Sequence, residues 1–158
     1  GHRSIVHVDG GDGPGATARR SAYLAAMREH GLADGARVVP GAHTEDAGIE
    51  AAHQLLGDDQ LPTAVLAGND RCALGLMRTF AQAGVTVPDD ISVVGYDDSH
   101  ISHLAHVDLT TIRQDVHRMA EHAVRLTVER LEDPARQPRE VVLGPELVVR
   151  GTTAPPAR

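Results

Sequence analysis

The sequence predicts an α/β fold in which an open, mostly parallel sheet carries helices on both faces. Two observations indicate this fold: short β-rich runs bounded by Gly, Pro or Asp recur along the first hundred residues, and segments with helical periodicity separate them. Alternation of strand and helix gives right-handed crossovers between parallel strands. We therefore expect one layer of strands between two layers of helices.

Four apolar runs are the predicted buried strands, and three helical segments connect them. The runs are SIVHV at 4–8, ARVV at 36–39, TAVLA at 63–67 and SVVGY at 92–96. The helices are predicted over 16–30, 46–56 and 70–83. In the third helix, apolar side chains recur at i, i+3, i+4 and i+7 and predict the buried face, which consists of Ala73, Leu76, Met77 and Phe80.

The alternation ends after Tyr96. A loop over 97–108 leads to the run LTTI at 109–112, and a long helical pattern then extends from about Gln114 to Leu131. The Pro-rich connector EDPARQPR follows, and the segment VVLGPELVVRGTT predicts two final short strands.

Composition excludes several classes of protein. A chain of 158 residues with 41% hydrophobic residues fits one globular domain, and a net charge of −7 disfavours contact with nucleic acid or anionic lipid. Cys72 is the single cysteine, so an intrachain disulfide is impossible, and no apolar run approaches the roughly 20 residues that cross a bilayer. We expect a cytoplasmic protein that does not itself bind DNA or membrane.

The glycine-rich segment DGGDGPG follows the first strand and resembles a phosphate-binding turn only in composition. Its glycines, at 10, 11, 13 and 15, do not form G-x-G-x-x-G, no G-K-[ST] is present, and Asp9 and Asp12 add negative charge. The pattern favours a tight turn from strand to helix. Such a turn would place the Arg19 guanidinium over the strand ends, where it can donate hydrogen bonds to a ligand.

Polar residues also follow the third and fourth strands. Asn69 and Asp70 end the run LAGND, and Asp97 and Asp98 end VVGYDD. Taken singly, each fits a helix cap or a turn residue, and Asp70 in particular would cap a helix that begins at Arg71. Because the carboxyl ends of parallel strands meet in one crevice, Asn69, Asp97 and Arg19 together predict a site for a polyhydroxylated molecule, a sugar or a nucleoside.

Other reactive side chains have simpler interpretations. His100, His103 and His106 recur at a spacing of three, which suits a metal site, but they lie in a predicted loop and are more typical of solvated histidines. Cys72 lies on the apolar side of its helix and is interpreted as a packing residue. No G-x-S-x-G or phosphate loop is present. We predict no catalytic residue, no metal site and no cofactor.

Four segments carry a resemblance to a known family: ARRSAYLAAMREHGL, PTAVLAGNDRCALGLMRTFAQAGVTVPDDISVVGYDDS, LTTIRQD and PELVVRGTT. In this order they resemble the effector-binding core of LacI/GalR-type transcription regulators, which is related in fold to periplasmic sugar-binding proteins. The resemblance implies that Arg19, Asn69 and Asp97 contact the effector. It also places His43 where members of the family often carry an aromatic residue that stacks on the ligand.

The resemblance further implies a domain organisation. We expect residues 1–112 and 139–153 to form the C-terminal subdomain, and the helix over 114–132 to be the one that normally packs on an N-terminal subdomain absent here. Operator DNA would be bound only by a helix-turn-helix that also lies outside this chain. Subunits would form a homodimer through the helix after LAGND, with Leu74 at the interface.

The same long helix carries a wide apolar stripe that includes Met119 and Leu126. Without the N-terminal subdomain, we expect it to swing away from its family position and pack on another copy of the chain, and the alternative is that it folds back on its own sheet.

Two functions fit these observations. One is the ligand-sensing and dimerisation module of a LacI-type regulator, in which a small polar effector shifts operator affinity. The other is a periplasmic-type receptor for a sugar or another solute. The series DISVVGYDD followed by LTT favours the regulator.

Overall fold

A computed structural model describes residues 1–157 and confirms the predicted α/β fold. Six strands form one sheet in the order β2-β1-β3-β4-β5-β6, in which the first five are parallel and β6 is antiparallel to β5. The strands are β1 (Ile5–Val8), β2 (Arg37–Val39), β3 (Ala64–Leu66), β4 (Ser92–Asp97), β5 (Thr111–Arg113) and β6 (Glu146–Val148). The helices are α1 (Ala16–Glu29), α2 (Glu45–Leu56), α3 (Asp70–Gln82) and α4 (Val116–Glu132).

Helices α2 and α3 lie together on one face of the sheet. Alternate residues of the central strands point into this layer, because successive side chains of a strand point to opposite faces. Of the predicted buried face of α3, Ala73, Leu76 and Phe80 are fully buried and Met77 is partly buried. The main members of this core are Val6, Val8, Val65, Val93, Leu55, Leu76 and Phe80.

Helix α1 lies against the opposite face of the sheet through Tyr23. The Tyr23 hydroxyl donates to the carbonyl of Ile5 at 2.8 Å and accepts from the Arg37 backbone N–H at 2.9 Å. Its ring lies 5.5 Å from the ring of His7, centroid to centroid. One side chain therefore joins α1 to both β1 and β2, which fixes where the helix begins relative to the strand ends.

The C-terminal part of the chain differs from the prediction of two final strands. Only Glu146–Val148 forms a strand, whereas Val141 and Val142 lie outside the sheet and are 39% and 80% exposed. Gly144 and Pro145 separate the two apolar pairs, and a proline cannot donate to a neighbouring strand. The segment before Gly144 therefore does not extend the sheet.

Helix α4 stands apart from the sheet. Within Val116–Glu132 no residue is buried, so the alternative in which this helix folds back on its own sheet is not observed. Met119 and Leu126 line a cavity of about 310 Å³ together with Val141 and Leu143 of the returning segment. The packing of α4 on another copy stays a prediction. No helix among residues 1–157 combines the length and the apolar character that crossing a membrane requires.

Candidate ligand-binding site

Three of the predicted ligand residues, Arg19, Asn69 and Asp97, lie around the fourth, His43, at the carboxyl ends of the parallel strands. An Arg19 terminal nitrogen lies 2.7 Å from Nε2 of His43, and the Asn69 amide donates to the His43 carbonyl at 3.4 Å. Asp97 is close enough that its charge raises the pKa of His43. Residues from four separate segments therefore lie close together at one edge of the sheet.

Arg19 reaches this crevice because α1 begins directly after the glycine turn. Its guanidinium donates to the Pro14 carbonyl at 3.0 Å, and its central carbon lies 4.4 Å from the centroid of the Tyr96 ring. This cation–π contact fixes the plane of the guanidinium. The Nε atom of Arg19 is buried and has no hydrogen-bond partner within residues 1–157. A buried donor of this kind favours a ligand that brings an acceptor.

The glycine turn makes room for the His43 ring. A Cβ on Gly10 would lie 2.1 Å from Nε2 of His43, and a Cβ on Gly13 would lie 2.5 Å from its Nδ1. The turn closes on itself through a hydrogen bond from the Gly13 N–H to the Gly10 carbonyl at 3.1 Å. These glycines therefore form the tight turn expected from the sequence, and their lack of side chains admits an imidazole.

The environment of His43 favours the neutral ring. Burial lowers its pKa most, the positive charge of Arg19 lowers it further, and the opposing effects of Asp97 and Asp9 are smaller. In the neutral ring, Nε2 accepts the hydrogen bond from Arg19 and Nδ1 carries the proton. His43 thus accepts a hydrogen bond that orients the Arg19 guanidinium.

Asn69 has the helix-cap role that the sequence suggested for it singly, whereas Asp70 does not cap the helix. The helix cap is Asn69, whose side chain accepts from the Cys72 N–H at 2.9 Å, so the helix begins at residue 70 as predicted, and the alternative in which Asp70 caps a helix beginning at Arg71 is not observed. Asp70 is already helical and buried, and it accepts from the Thr111 hydroxyl at 2.5 Å. Its second oxygen accepts from the Ser99 N–H at 2.7 Å. Burial raises the pKa of Asp70, against these hydrogen bonds.

Asp97 and Asp98 are adjacent in sequence, but their carboxylates bind different partners. The Asp97 carboxylate accepts from the Gln114 amide at 2.6 Å, whereas the Asp98 carboxylate binds Arg113 and Arg150. Tyr96 and Gln114 were not predicted from the sequence to be site residues. Gln114 carries no sequence signal, because it belongs to neither a strand nor a helix and reaches the site only through the pairing of β4 with β5.

Asp9 is also present at the base of the site, and its charge is balanced. It is 7% exposed, accepts from the Gly10 N–H at 2.9 Å and forms an ion pair with Arg20. Of the two negative charges that argued against phosphate in the sequence, that of Asp9 is therefore compensated within the fold by Arg20.

The remaining reactive side chains form no further site in the part of the chain that the structure describes. Among residues 1–157, no three His, Cys, Asp or Glu side chains are placed to hold a metal ion, and this includes His100, His103 and His106. Cys72 is fully buried, and burial raises the pKa of its thiol to about 11. A thiol in this state is a poor nucleophile.

An open α/β sheet with polar side chains gathered at the strand ends defines a ligand-binding domain of the periplasmic binding protein-like class. The sequence matches the periplasmic binding protein-like domain family over residues 1–153. The chain belongs to this family, and within it to the effector-binding domains of LacI-type transcription regulators.

The individual relatives are repressors and LacI-family structures. The chain is 37% identical over 133 residues to the HTH-type transcriptional repressor PurR of Photobacterium profundum, covering 84% of this chain and 40% of that protein. It is 36% identical to the ribose operon repressor of Escherichia coli, covering 96% of this chain and 47% of that protein. The chain thus spans less than half the length of these two repressors.

Solved structures of the family superpose closely. A LacI transcriptional regulator from a Rhodococcus species is 48% identical with a TM-score of 0.94, covering 98% of this chain and 57% of that one. A LacI-family regulator from Enterococcus faecium with bound ribose is 29% identical with a TM-score of 0.89, covering 98% and 58%. The dimeric Lac repressor is 31% identical with a TM-score of 0.90, covering 99% and 57%.

Proposed function

We propose that this chain senses a small polar effector, a sugar or a nucleoside, for a cytoplasmic LacI-type repressor. The observation that carries the proposal is the convergence of Arg19, His43, Asn69 and Asp97 in one crevice, with the Nε donor of Arg19 buried and without a partner among residues 1–157. An arginine, an amide and a carboxylate suit hydroxyl groups that both donate and accept. The ribose bound to the Enterococcus faecium relative supports a sugar.

The effector acts through its different affinity for two conformations of the full-length regulator. A ligand that bridges this crevice to a second lobe stabilises the closed arrangement, and the DNA-binding segment of the regulator responds by a shift in population. The chain itself carries a net charge of −7, so operator binding is assigned to a segment outside it.

The test is effector binding by the full-length regulator, measured by calorimetry against D-ribose, other pentoses and hexoses, and nucleosides. Arg19→Ala and Asp97→Ala are each expected to weaken binding of the active compound about 5- to 150-fold, because losing a partner of a buried polar group costs about 1–3 kcal/mol. Operator binding without effector should not change.

Matched controls are available on exposed positions. Arg28→Ala removes an arginine from the last turn of the same helix α1, and Asp89→Ala removes an exposed aspartate outside the site. Both should bind the effector as the wild type does. Unchanged affinity in Arg19→Ala and Asp97→Ala as well would remove these residues from the site.

We further propose that α3 contributes to a homodimer interface. A groove of about 690 Å³ lies beside this helix and is lined by apolar side chains that are only partly covered, including Leu74, Met77, Val85 and Val87. Leu74 lies away from the fully buried face of α3 formed by Leu76 and Phe80. One solved relative is described as the dimeric Lac repressor.

Leu74→Arg is expected to weaken this dimer, because the substitution places an unpaired charge in an apolar contact. Analytical ultracentrifugation of the full-length protein across a dilution series measures the effect, and the expected increase in the dimer dissociation constant is at least tenfold. Gln82→Arg adds the same side chain at an exposed position of α3 and should leave the constant unchanged. An identical dimer in Leu74→Arg would place the interface on another surface.

A further inference from the structure

The Asp98 carboxylate lies at the centre of a polar cluster beside the ligand-binding crevice. One oxygen accepts from Arg150 at 2.6 Å and from the Ser102 hydroxyl at 3.0 Å. The other oxygen accepts from Nε of Arg113 at 2.7 Å. The carboxylate is 4% exposed, and the Arg150 side chain is 13% exposed. Asp98 therefore binds two arginines at once, largely out of contact with solvent.

The two arginines come from the two ends of one excursion of the chain. Arg113 is the last residue of β5, after which the chain leaves the sheet for α4, and Arg150 follows β6, where the chain returns. Arg150 is also anchored to the sheet, since it donates to the Leu109 carbonyl at 2.7 Å. Asp98 thus ties the turn after β4 to the end of β5, where the chain leaves the sheet, and to the segment that follows β6, the strand by which it returns.

This turn has an unusual backbone. Asp97 has a φ of 116° and Asp98 a φ of 50°, values that L residues other than glycine rarely adopt. Such a conformation persists only where the surroundings hold it. The holding contacts include those of Asp98 with its arginines, that of the Ser99 N–H with Asp70, and that of the Asp98 N–H with the Thr111 hydroxyl at 3.4 Å. Without them, Asp97 can relax to a negative φ, which would turn its carboxylate away from Gln114.

We propose that Asp98 is a positioning residue of the effector site, whose contacts with Arg113 and Arg150 hold the Asp97 carboxylate toward the crevice. The inference rests on the proposed function, in which Asp97 binds the effector. Asp98 itself does not contact the ligand.

The ionisation of Asp98 suits this role. Burial opposes the charged form, but hydrogen bonds from Arg150, Arg113 and Ser102 outweigh it and lower the pKa of Asp98 to about 2. The carboxylate is therefore charged at any pH at which the protein would work. An asparagine has the same shape but cannot accept from both arginines, since one of its two terminal atoms is a donor.

The first test is a double-mutant cycle in the full-length regulator with D-ribose as the probe, followed by calorimetry. Asp98→Asn is expected to weaken D-ribose binding at least tenfold in the wild-type background and to cause no further loss in an Asp97→Asn background. Losses that multiply in the double variant, or an unchanged affinity in the single variant, would overturn the proposal, because Asp98 would then not act through Asp97.

The matched control is Glu146→Gln, which removes the other carboxylate on Arg113, at 3.3 Å, without touching Asp98. It should bind D-ribose normally. Arg113→Gln is a second variant for the case in which Asp98→Asn does not fold. The Arg113 side chain is 42% exposed, so its loss should be tolerated, and affinity should fall in the same direction by a smaller factor.

The second test needs no ligand and separates this proposal from the proposed function. Hydrogen exchange should become at least tenfold faster in residues 97–102 of Asp98→Asn, or of Arg113→Gln, and should not change in Glu146→Gln. Unchanged exchange in this segment would overturn the positioning role. If the wild type binds neither D-ribose nor any other compound of the panel, the proposed function fails, and the exchange result still decides whether Asp98 holds the turn.

Discussion

Gly75→Ala is expected to destabilise the fold by about 3 kcal/mol or more, because it forces two packed helices apart. A Cβ on Gly75 would lie 2.1 Å from the Glu45 carbonyl oxygen and 3.0 Å from the Ile49 nitrogen. These are backbone atoms of α2, so no side-chain rotation can relieve the contact. Gly48 faces α3 in the same way, since its Cβ would lie 2.0 Å from the Cys72 carbonyl oxygen. Each helix therefore presents a glycine to the backbone of the other.

Urea unfolding followed by circular dichroism measures the loss. Gly57→Ala is the matched control, because Gly57 has a φ of −82° and its Cβ would meet nothing closer than 3.5 Å. We expect this control to be neutral or to stabilise the protein by about 0.4–1 kcal/mol, through the lower entropy of its unfolded chain. A Gly75→Ala protein as stable as its Gly57→Ala counterpart would mean that α2 and α3 are not in backbone contact.

The elements of the fold could be predicted because their signals are local. The apolar run SVVGY and the i, i+3, i+4, i+7 pattern of α3 are visible in the printed sequence, and the structure places β4 and α3 within two residues of the predicted bounds. The convergence of Arg19, Asn69 and Asp97 could be predicted from topology alone, since parallel strands end at one edge of a sheet. Their binding role stays a prediction.

The contacts that arrange the site could not be predicted, because they join residues far apart in sequence. The Arg19 guanidinium packs on the Tyr96 ring because β1, which precedes Arg19, and β4, which contains Tyr96, both lie beside β3 in the sheet. The contact between Asp98 and Arg150 depends on the chain returning to the sheet 52 residues later. The cap of α3 could not be chosen from the sequence, because Asn69 and Asp70 are both good cap residues and only the extended backbone of Asn69 decides between them.

Five of the nine exposed large apolar side chains among residues 1–157 lie on α4. Val124, Val128 and Leu131 are 65%, 45% and 75% exposed, and Val116, on the same side of the helix, is 66% exposed. Val124, Val128 and Leu131 are three, four and seven residues apart, so these three side chains share one face of the helix. Met119 and Leu126 lie toward the returning segment instead. A contiguous apolar face on a helix with no buried residue favours association.

The 158-residue chain alone is therefore expected to self-associate through α4, as the sequence also predicted. In the double variant Val124→Glu/Leu131→Glu, the dissociation constant of this association, measured by sedimentation velocity, should rise at least tenfold. The reason is that each glutamate would be transferred from water into an apolar contact. Arg118→Gln/Arg125→Gln changes the net charge by the same amount at exposed positions on a different side of α4 and should associate as the wild type does. Leu74→Arg in the same chain separates the α3 contact from that of α4. A wild-type chain that remains monomeric at all concentrations would show that α4 needs no cover from another copy.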